Sequence, residues 1–244
     1  MVTIDKIKPV LVTGGTGYMA SWIIKMLLEE GINVHATVRD PSDIQKVKHL
    51  TILADASEAQ LKLFKADLID PAGFDESMQD CELVIHTASP FFLTGIKNPE
   101  EELIKPAREG TRNVLGAAKR SPTVKRIVLT SSVVAIYGDN ADIRSAPGGL
   151  FTEKEWNTTS SAAHRPYAYS KTVAEKEAWA IAKEQDQWDL LTINPGCILG
   201  PSLSKRKDST SISIMIQLGD GTYKSGVPDY WKVSLMCAMW RLPT

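Results

Sequence analysis

The chain has 244 residues, 43% of them hydrophobic and 23% charged, with a formal net charge of −1, as is typical of one large globular domain. This balance predicts neither nucleic acid nor an anionic membrane as a partner, and no apolar run reaches the roughly 18 residues of a membrane span. The first residues lack the apolar core of a secretory signal, and three widely spaced cysteines favour reduced thiols, so the sequence predicts a cytoplasmic protein.

Strands and helices are predicted to alternate along the chain. The apolar segments predicted as strands are 9–13, 33–38, 61–64, 83–87, 126–130 and 190–193. Helices are predicted after the first strand, ending near Gly31, and at 42–53, 100–119 and 169–184. The fourth strand is apolar throughout, as expected of a parallel strand covered on both faces. Six strands alternating with helices predict an α/β fold with a doubly wound parallel sheet.

A glycine-rich turn follows the first predicted strand. Gly14 suits the tight turn, Gly17 allows the backbone to approach a phosphate closely, and Ala20 is the small residue at which the helix packs on the strand. The N–H groups at the start of that helix would then face a pyrophosphate. An ordinary strand-to-helix turn has the same composition, but the position between a strand and an amphipathic helix favours dinucleotide binding.

The end of the second predicted strand bears on the choice of cofactor. An acidic side chain there would bind the ribose 2′-hydroxyl of NAD, whereas an arginine would pair with the 2′-phosphate of NADP. Both Arg39 and Asp40 are present, but Asp40 also suits a turn or helix start, so NADP is preferred over NAD. Lys46 could add a second cation, unless it and Arg39 are ordinary surface charges. Asp67, after the third strand, could meet the adenine or cap a helix.

A tyrosine and a lysine four residues apart predict the chemistry. Tyr167 and Lys171 would lie on one face of a helix, where the ammonium would lower the pKa of the phenol towards neutrality. Such a tyrosine can protonate a carbonyl oxygen. Tyr169 has no lysine at the same spacing. A serine pair, Ser131 and Ser132, ends the fifth strand, where ligands bind in such sheets.

These motifs resemble the extended short-chain dehydrogenase/reductase family, and within it the dihydroflavonol reductase-like aldehyde and ketone reductases. The resemblance extends over residues 9–231 and is carried by 12–18, 36–41, 66–68, 86–90, 130–132, 167–171 and 195–201. It implies a Rossmann-type domain, an NADPH cofactor and the catalytic residues Ser132, Tyr167 and Lys171. The cofactor site that it implies consists of Gly14, Thr16, Gly17, Tyr18, Met19, Arg39, Lys46, Asp67, Leu68, Thr87, Ala88, Ser89, Tyr167, Lys171, Pro195 and Ile198.

The sequence departs from this branch in three places. Plant flavonoid enzymes carry an asparagine five residues after the catalytic serine, and here Tyr137 stands there. The segment 164–166 lacks the signature of cinnamoyl-CoA reductases, so a simpler aldehyde or ketone is the expected substrate. From Lys232 onward the sequence matches nothing expected of the family. We therefore expect a dinucleotide-binding domain at 1–200 and, at 201–244, the remnant of a smaller, incomplete substrate lobe.

Three functional hypotheses follow. The first is an NADPH-dependent reductase of a small-molecule carbonyl compound. The second is a nucleotide-sugar epimerase or dehydratase with the same fold and catalytic residues, against which Arg39 counts because such enzymes in this superfamily usually hold NAD. The third is a non-catalytic dinucleotide-binding protein or a truncated, inactive product. The four histidines have no metal-ligand spacing, so no metal is expected, and the chain could be a homodimer or a monomer.

Overall fold

The computed structural model describes residues 2–90, 95–204, 210–226 and 234–236. The centre of the molecule is a six-stranded parallel sheet in the order β3-β2-β1-β4-β5-β6. The strands are β1 (Val10–Thr13), β2 (Val34–Val38), β3 (Leu61–Lys65), β4 (Leu83–His86), β5 (Arg126–Thr130) and β6 (Asp189–Ile193). The long helices between them are α1 (Tyr18–Glu29), α2 (Ile44–Asp55), α3 (Lys105–Arg120) and α4 (Pro166–Lys183). This order confirms the predicted doubly wound sheet, and the strand order reverses between β1 and β4.

Three predicted helices begin at different residues in the structure, and of these α2 begins at Ile44, two residues after its predicted start. A turn of π-helix at Glu100–Ile104 precedes α3, so the α-helix itself begins only at Lys105. Helix α4 begins at Pro166, three residues before the predicted start. Arg165 adopts a left-handed backbone conformation (φ 54°) and Pro166 takes the first helical position, where a missing N–H costs nothing. Tyr167 is therefore in the first turn of α4.

A hydrophobic core lies on each face of the sheet. Alternate residues of β1 supply both cores: Leu11 packs with the residues of α3 and α4, and Val10 and Val12 pack with those of α1 and α2. All three side chains are at most 3% exposed. The central strands are thus covered on both faces, which explains their continuous apolar sequences.

The loop after β3 is fixed by helix α3. The side-chain amide of Asn113 donates a hydrogen bond of 2.7 Å to the carbonyl of Leu68. A Cβ placed on Gly110 would lie 2.7 Å from Cδ2 of Leu68, so the loop can approach the helix only because residue 110 has no side chain. Leu68, one of the predicted cofactor residues, is thereby held at the carboxyl edge of the sheet.

The described residues of the second predicted region, 201–244, include two regular elements. Helix α5 spans Thr210–Gly219, and strand β8 (Ser234–Met236) pairs in parallel with β7 (Cys197–Leu199). Most of the atypical terminal segment that begins at Lys232 lies outside the described residues. Within the described part of the chain, none of the helices combines the length and apolar character that crossing a bilayer requires.

Candidate active site

The glycine-rich turn forms a cradle at the switch point between β1 and β4. Gly14 has a positive φ of 70°, and a Cβ there would come within 3.1 Å of Cα of Ala88. Gly17 is the N-cap of helix α1 and provides no side-chain cap, and the first turn of the helix holds no acidic residue. Uncapped N–H groups without a competing carboxylate attract an anion. These features fit a pyrophosphate group.

The remaining predicted residues of this turn line its rim. Thr16 and Met19 are partly exposed there. The Tyr18 hydroxyl donates a hydrogen bond of 2.5 Å to the carbonyl of Gly200, and the indole of Trp22 donates one of 2.9 Å to the carbonyl of Pro201. Tyr18 therefore joins α1 to the chain that follows β7, in addition to lying on the predicted cofactor surface.

A buried threonine connects the ends of β1 and β4. The hydroxyl oxygen of Thr13 accepts hydrogen bonds of 3.1 Å from the backbone N–H groups of Thr87 and of Ala88. It lies 2.8 Å from Nδ1 of His86, and its only proton must point to that nitrogen. His86 is thus neutral and protonated at Nε2, consistent with a pKa lowered to about 3 by burial and by the nearby Lys171. This network fixes residues 87–89, which are predicted to line the cofactor, and Ser89 is partly exposed beside it.

The predicted 2′-phosphate region lies at the end of β2. Arg39 is exposed and forms no ion pair with any described residue. Asp40 accepts hydrogen bonds from the N–H (2.9 Å) and hydroxyl (2.6 Å) of Ser42, which lower the pKa of its carboxyl. The turn role foreseen for Asp40 is therefore present, but the residue that caps α2 is Asp43. Asp43 also pairs with Lys46 at 2.8 Å, so the predicted second cation already has a carboxylate neighbour.

Asp67 is engaged in a turn of its own. Its carboxylate accepts a hydrogen bond of 3.1 Å from the N–H of Ile69, and the side chain is exposed. Asp67 thus stabilises the turn after β3 and does not cap a helix. One carboxylate oxygen remains available at the adenine end of the predicted cofactor site.

The structure separates the two serines at the end of β5. The hydroxyl of Ser132 is hydrogen-bonded to the phenol of Tyr167 and lies 3.5 Å from the carbonyl of Pro195. Ser131 instead donates to the buried carboxylate of Glu175. Of the pair, Ser132 is the serine that interacts with the tyrosine, and the catalytic role that the family resemblance assigns to it stays a prediction.

The pKa of Tyr167 does not follow the sequence prediction. Burial raises the pKa of the phenol well above its usual value, and the hydrogen bond from Ser132 offsets this only in part. The ammonium of Lys171 lies 3.5 Å from the carbonyl of Thr130 and is itself buried, which lowers its pKa to about 8. In this structure Tyr167 is therefore a protonated acid, and the predicted lowering by Lys171 is absent.

Two predicted residues follow β6 and border the same site. Pro195 is buried and accepts a hydrogen bond of 3.0 Å from the N–H of Val133, one residue after the candidate serine. Ile198 lies in β7 and is partly exposed. Both positions suit the nicotinamide end of a cofactor that runs from the glycine turn to Tyr167.

The loop before α4 is held by contacts within itself and with the start of that helix. Tyr137 stacks on Phe151 with ring centroids 4.7 Å apart and 7° between the planes. Asp139 pairs with Arg165 at 3.0 Å and with His164 at 2.8 Å, which attaches this loop to the start of α4. Asn157, the first residue of an N-x-T sequence, is 4% exposed, and its amide nitrogen donates to the carbonyl of Val134 at 2.7 Å. Asn157 is thus a structural residue of this loop.

Sequence reasoning missed Glu175. This carboxylate is 6% exposed and accepts hydrogen bonds from Ser131, from Asn194 at 2.8 Å and from Trp179 at 3.4 Å. The available signal was its spacing, because a residue four positions after Lys171 lies on the same face of α4. Among the described residues, no three His, Cys, Asp or Glu side chains are placed to hold a metal ion.

The parallel sheet and the glycine cradle at its switch point define a protein of the Rossmann fold class. The profile described as the NAD dependent epimerase/dehydratase family matches residues 10–221, and the chain belongs to that family. The resemblance to the extended short-chain dehydrogenase/reductases is thereby confirmed.

Two curated proteins and one solved structure of similar sequence or fold are all named reductases. The chain is 42% identical over 209 residues to a cinnamoyl-CoA reductase of Medicago truncatula, covering 84% of this chain and 62% of that protein. It is 38% identical over 233 residues to an anthocyanidin reductase of Arabidopsis thaliana, covering 93% and 66%. A solved structure of a yeast methylglyoxal/isovaleraldehyde reductase complexed with NADPH has a TM-score of 0.81 at 27% identity, covering 94% of this chain and 70% of that one. The chain thus spans about 62–66% of the length of these two curated relatives.

Proposed function

We propose that this chain carries the cofactor-binding and catalytic part of an NADPH-dependent reductase of aldehydes or ketones. The observation that carries the proposal is the hydrogen bond between Ser132 and Tyr167 at the carboxyl edge of the sheet, beside the glycine cradle. The names of the relatives, all three of them reductases, support the same reaction class. The yeast structure, which holds NADPH, supports the choice of cofactor.

Different residues of the site would bind the cofactor, orient the carbonyl oxygen and deliver the proton. NADPH, when bound, supplies hydride to the carbonyl carbon. The uncapped start of α1 would hold its pyrophosphate, with Thr87 to Ser89 and Pro195 along its length. Ser132 would orient the carbonyl oxygen by donating a hydrogen bond, and Tyr167 would deliver the proton to that oxygen. At neutral pH the phenol is protonated and therefore holds the proton to be delivered, while its raised pKa makes it a weaker acid than an unperturbed tyrosine.

A simple aldehyde or ketone is the substrate class that we favour. Tyr137 occupies the position at which the resemblance places an asparagine in plant flavonoid enzymes, and its ring is committed to the stack on Phe151. A flat aromatic wall of this kind offers area for an apolar substituent but no amide for a hydroxylated ring. The substrates of the named relatives therefore do not define the substrate proposed for this chain.

The direct test is NADPH oxidation by the purified chain in the presence of small aldehydes and ketones. We expect turnover with at least one carbonyl compound and a melting temperature that rises more with NADPH than with NADH. A nucleotide sugar serves as a further substrate, and its conversion without net NADPH oxidation would favour an epimerase. Binding of NADPH without turnover of any of these compounds would contradict the proposal and favour a non-catalytic protein.

Replacing Arg39 with alanine tests the proposed 2′-phosphate contact. Because a charge-assisted hydrogen bond contributes ~1.5–3 kcal/mol, the Kd for NADPH is expected to rise about 10- to 100-fold. The Kd for NADH should stay the same, since NADH has no 2′-phosphate. Calorimetric titration with both cofactors measures the two effects. The exposed Lys48, on α2, provides a matched control, and Lys48→Ala should leave both affinities unchanged. Equal weakening of NADPH and NADH by Arg39→Ala would assign Arg39 a general structural role.

A further inference from the structure

Glu175 is a buried carboxylate that the proposed reaction does not use. It lies on α4 with 6% of its surface exposed, four residues after Lys171, which is 7% exposed. A buried ionised side chain is costly unless opposite charge or hydrogen bonds compensate it. Ser131, Asn194 and Trp179 supply three hydrogen-bond donors to Glu175 but no positive charge.

Lys171 and Glu175 line one small cavity. It has a volume of about 10 Å³ and is bounded by side chains from β4, β5, α3 and α4. The two charges are not in direct contact, because no ion pair within 4.0 Å joins them among the described residues. A polar cavity of this size holds roughly one water molecule, so the charges act on each other across it. Because Lys171 and Glu175 are four residues apart on α4 and line the same cavity, each is the nearby opposite charge of the other.

The other groups that face Lys171 carry no charge at neutral pH. His86, on β4, is neutral because its pKa is lowered to about 3. Tyr167, on α4, is neutral because burial raises its pKa. The residues that β5 and α3 bring to the cavity, among them Thr130 and Thr111, do not titrate. Glu175 is therefore the counter-charge of Lys171 among the described residues that line this cavity.

We propose that Glu175 is a positioning residue that acts through Lys171: its buried carboxylate holds the Lys171 side chain as an ammonium ion at the base of the active site. Ser131 and Asn194 in turn hold the carboxylate in place. The first of the two serines thus has a function distinct from that of Ser132. The charge relation follows from the fold alone, and its consequence for turnover rests on the proposed reductase function.

The stability of Glu175→Gln as a function of pH tests the charge relation without catalysis. Burial places the pKa of Lys171 at about 8 in the folded chain, below its value of about 10.4 in an unfolded chain. Between these values the unfolded state binds more protons, so stability rises with pH. Removing the carboxylate lowers the folded pKa further. The charge-dependent difference in stability between the wild-type chain and Glu175→Gln is therefore complete below both folded pKa values and vanishes above the higher one. We expect the loss in urea midpoint to be largest at about pH 6 to 7, to shrink as the pH rises through about 8, and to be constant above about pH 9.

Glu177→Gln is the matched control on the same helix. Glu177 pairs with Arg112 on the outer face of α4, and the substitution removes the same charge. Its effect on the midpoint should be small and constant with pH, because arginine does not titrate in this range. A pH-independent loss for Glu175→Gln as well would overturn the proposal, because it would mean that the carboxylate only accepts hydrogen bonds.

Two further measurements complete the test. In the pH profile of kcat, the alkaline limb of Glu175→Gln should lie at a pH lower by roughly one unit than that of the wild-type chain. An unchanged limb in an active variant would contradict the role of Glu175 in turnover but not its charge relation with Lys171. If Glu175→Gln does not fold at pH 7, the double variant with Lys171→Met decides. If the double variant shows a cooperative unfolding transition again, the failure of Glu175→Gln to fold is due to the uncompensated ammonium of Lys171. If the double variant also fails to fold, the proposal is overturned.

Discussion

Replacing Tyr167 with phenylalanine is expected to lower kcat about 10²- to 10⁴-fold, the usual contribution of a positioned general acid. The phenol is the only acidic group that the structure places in hydrogen-bond contact with Ser132, among the residues described. Phenylalanine keeps the ring and removes only the proton donor. The Kd for NADPH should change little, because the glycine cradle and Arg39 lie at the other end of the site. Steady-state kinetics and a cofactor titration on the same preparation measure both quantities.

Tyr169→Phe is the matched control for this result. Tyr169 lies two residues further along the first turns of α4, is partly buried like Tyr167, and has a valine in place of a lysine four positions on. The control should keep kcat within about threefold of the wild-type value, as expected for a residue outside the proton path. A Tyr167→Phe variant as active as Tyr169→Phe would remove the proposed proton transfer, whatever its effect on stability.

The sequence was sufficient to predict the sheet because its signals are local. Each strand is a short apolar run, and the turn after β1 needs glycine for its backbone conformation and for the approach of Ala88. Helix α4 begins three residues before the predicted span of 169–184, although the spacing of Tyr167 and Lys171 on one helix face already requires a helical conformation there. The signal was present, since Pro166 is well suited to the first position of a helix.

The details of the site depended on contacts between distant parts of the chain. The adjacent Ser131 and Ser132 are the same residue type, and only α4 distinguishes them by placing Glu175 beside one and Tyr167 beside the other. A glutamate within a helix is ordinarily exposed, so its burial could not be read from its neighbours in sequence. The prediction that the pKa of Tyr167 is lowered was wrong for the same reason, because the degree of burial, which raises this pKa, is a tertiary property.

Replacing Thr13 with valine is expected to lower the free energy of unfolding by about 2–4 kcal/mol. The two side chains have nearly the same shape, so packing at this fully buried position is kept. The hydroxyl, however, is the acceptor for the N–H groups of Thr87 and Ala88 and the donor to His86. Each buried polar group left without a partner costs ~1–3 kcal/mol, and partial relaxation of the loop recovers some of the sum. Urea denaturation at neutral pH measures the loss.

Thr111→Val is the matched control. It shows how much stability is lost when a buried threonine hydroxyl is removed outside the Thr13 hydrogen-bond network. Thr111 is 2% exposed on α3, and its hydroxyl donates to the carbonyl of Ala107 within the same helix. That carbonyl can also accept the helical N–H, so the substitution should cost at most about 1 kcal/mol. Similar losses for the two variants would show that the Thr13 network contributes nothing special. A larger loss for Thr13→Val, with weaker NADPH binding, would show that one hydroxyl holds both the joined strand ends and residues 87–89 in place.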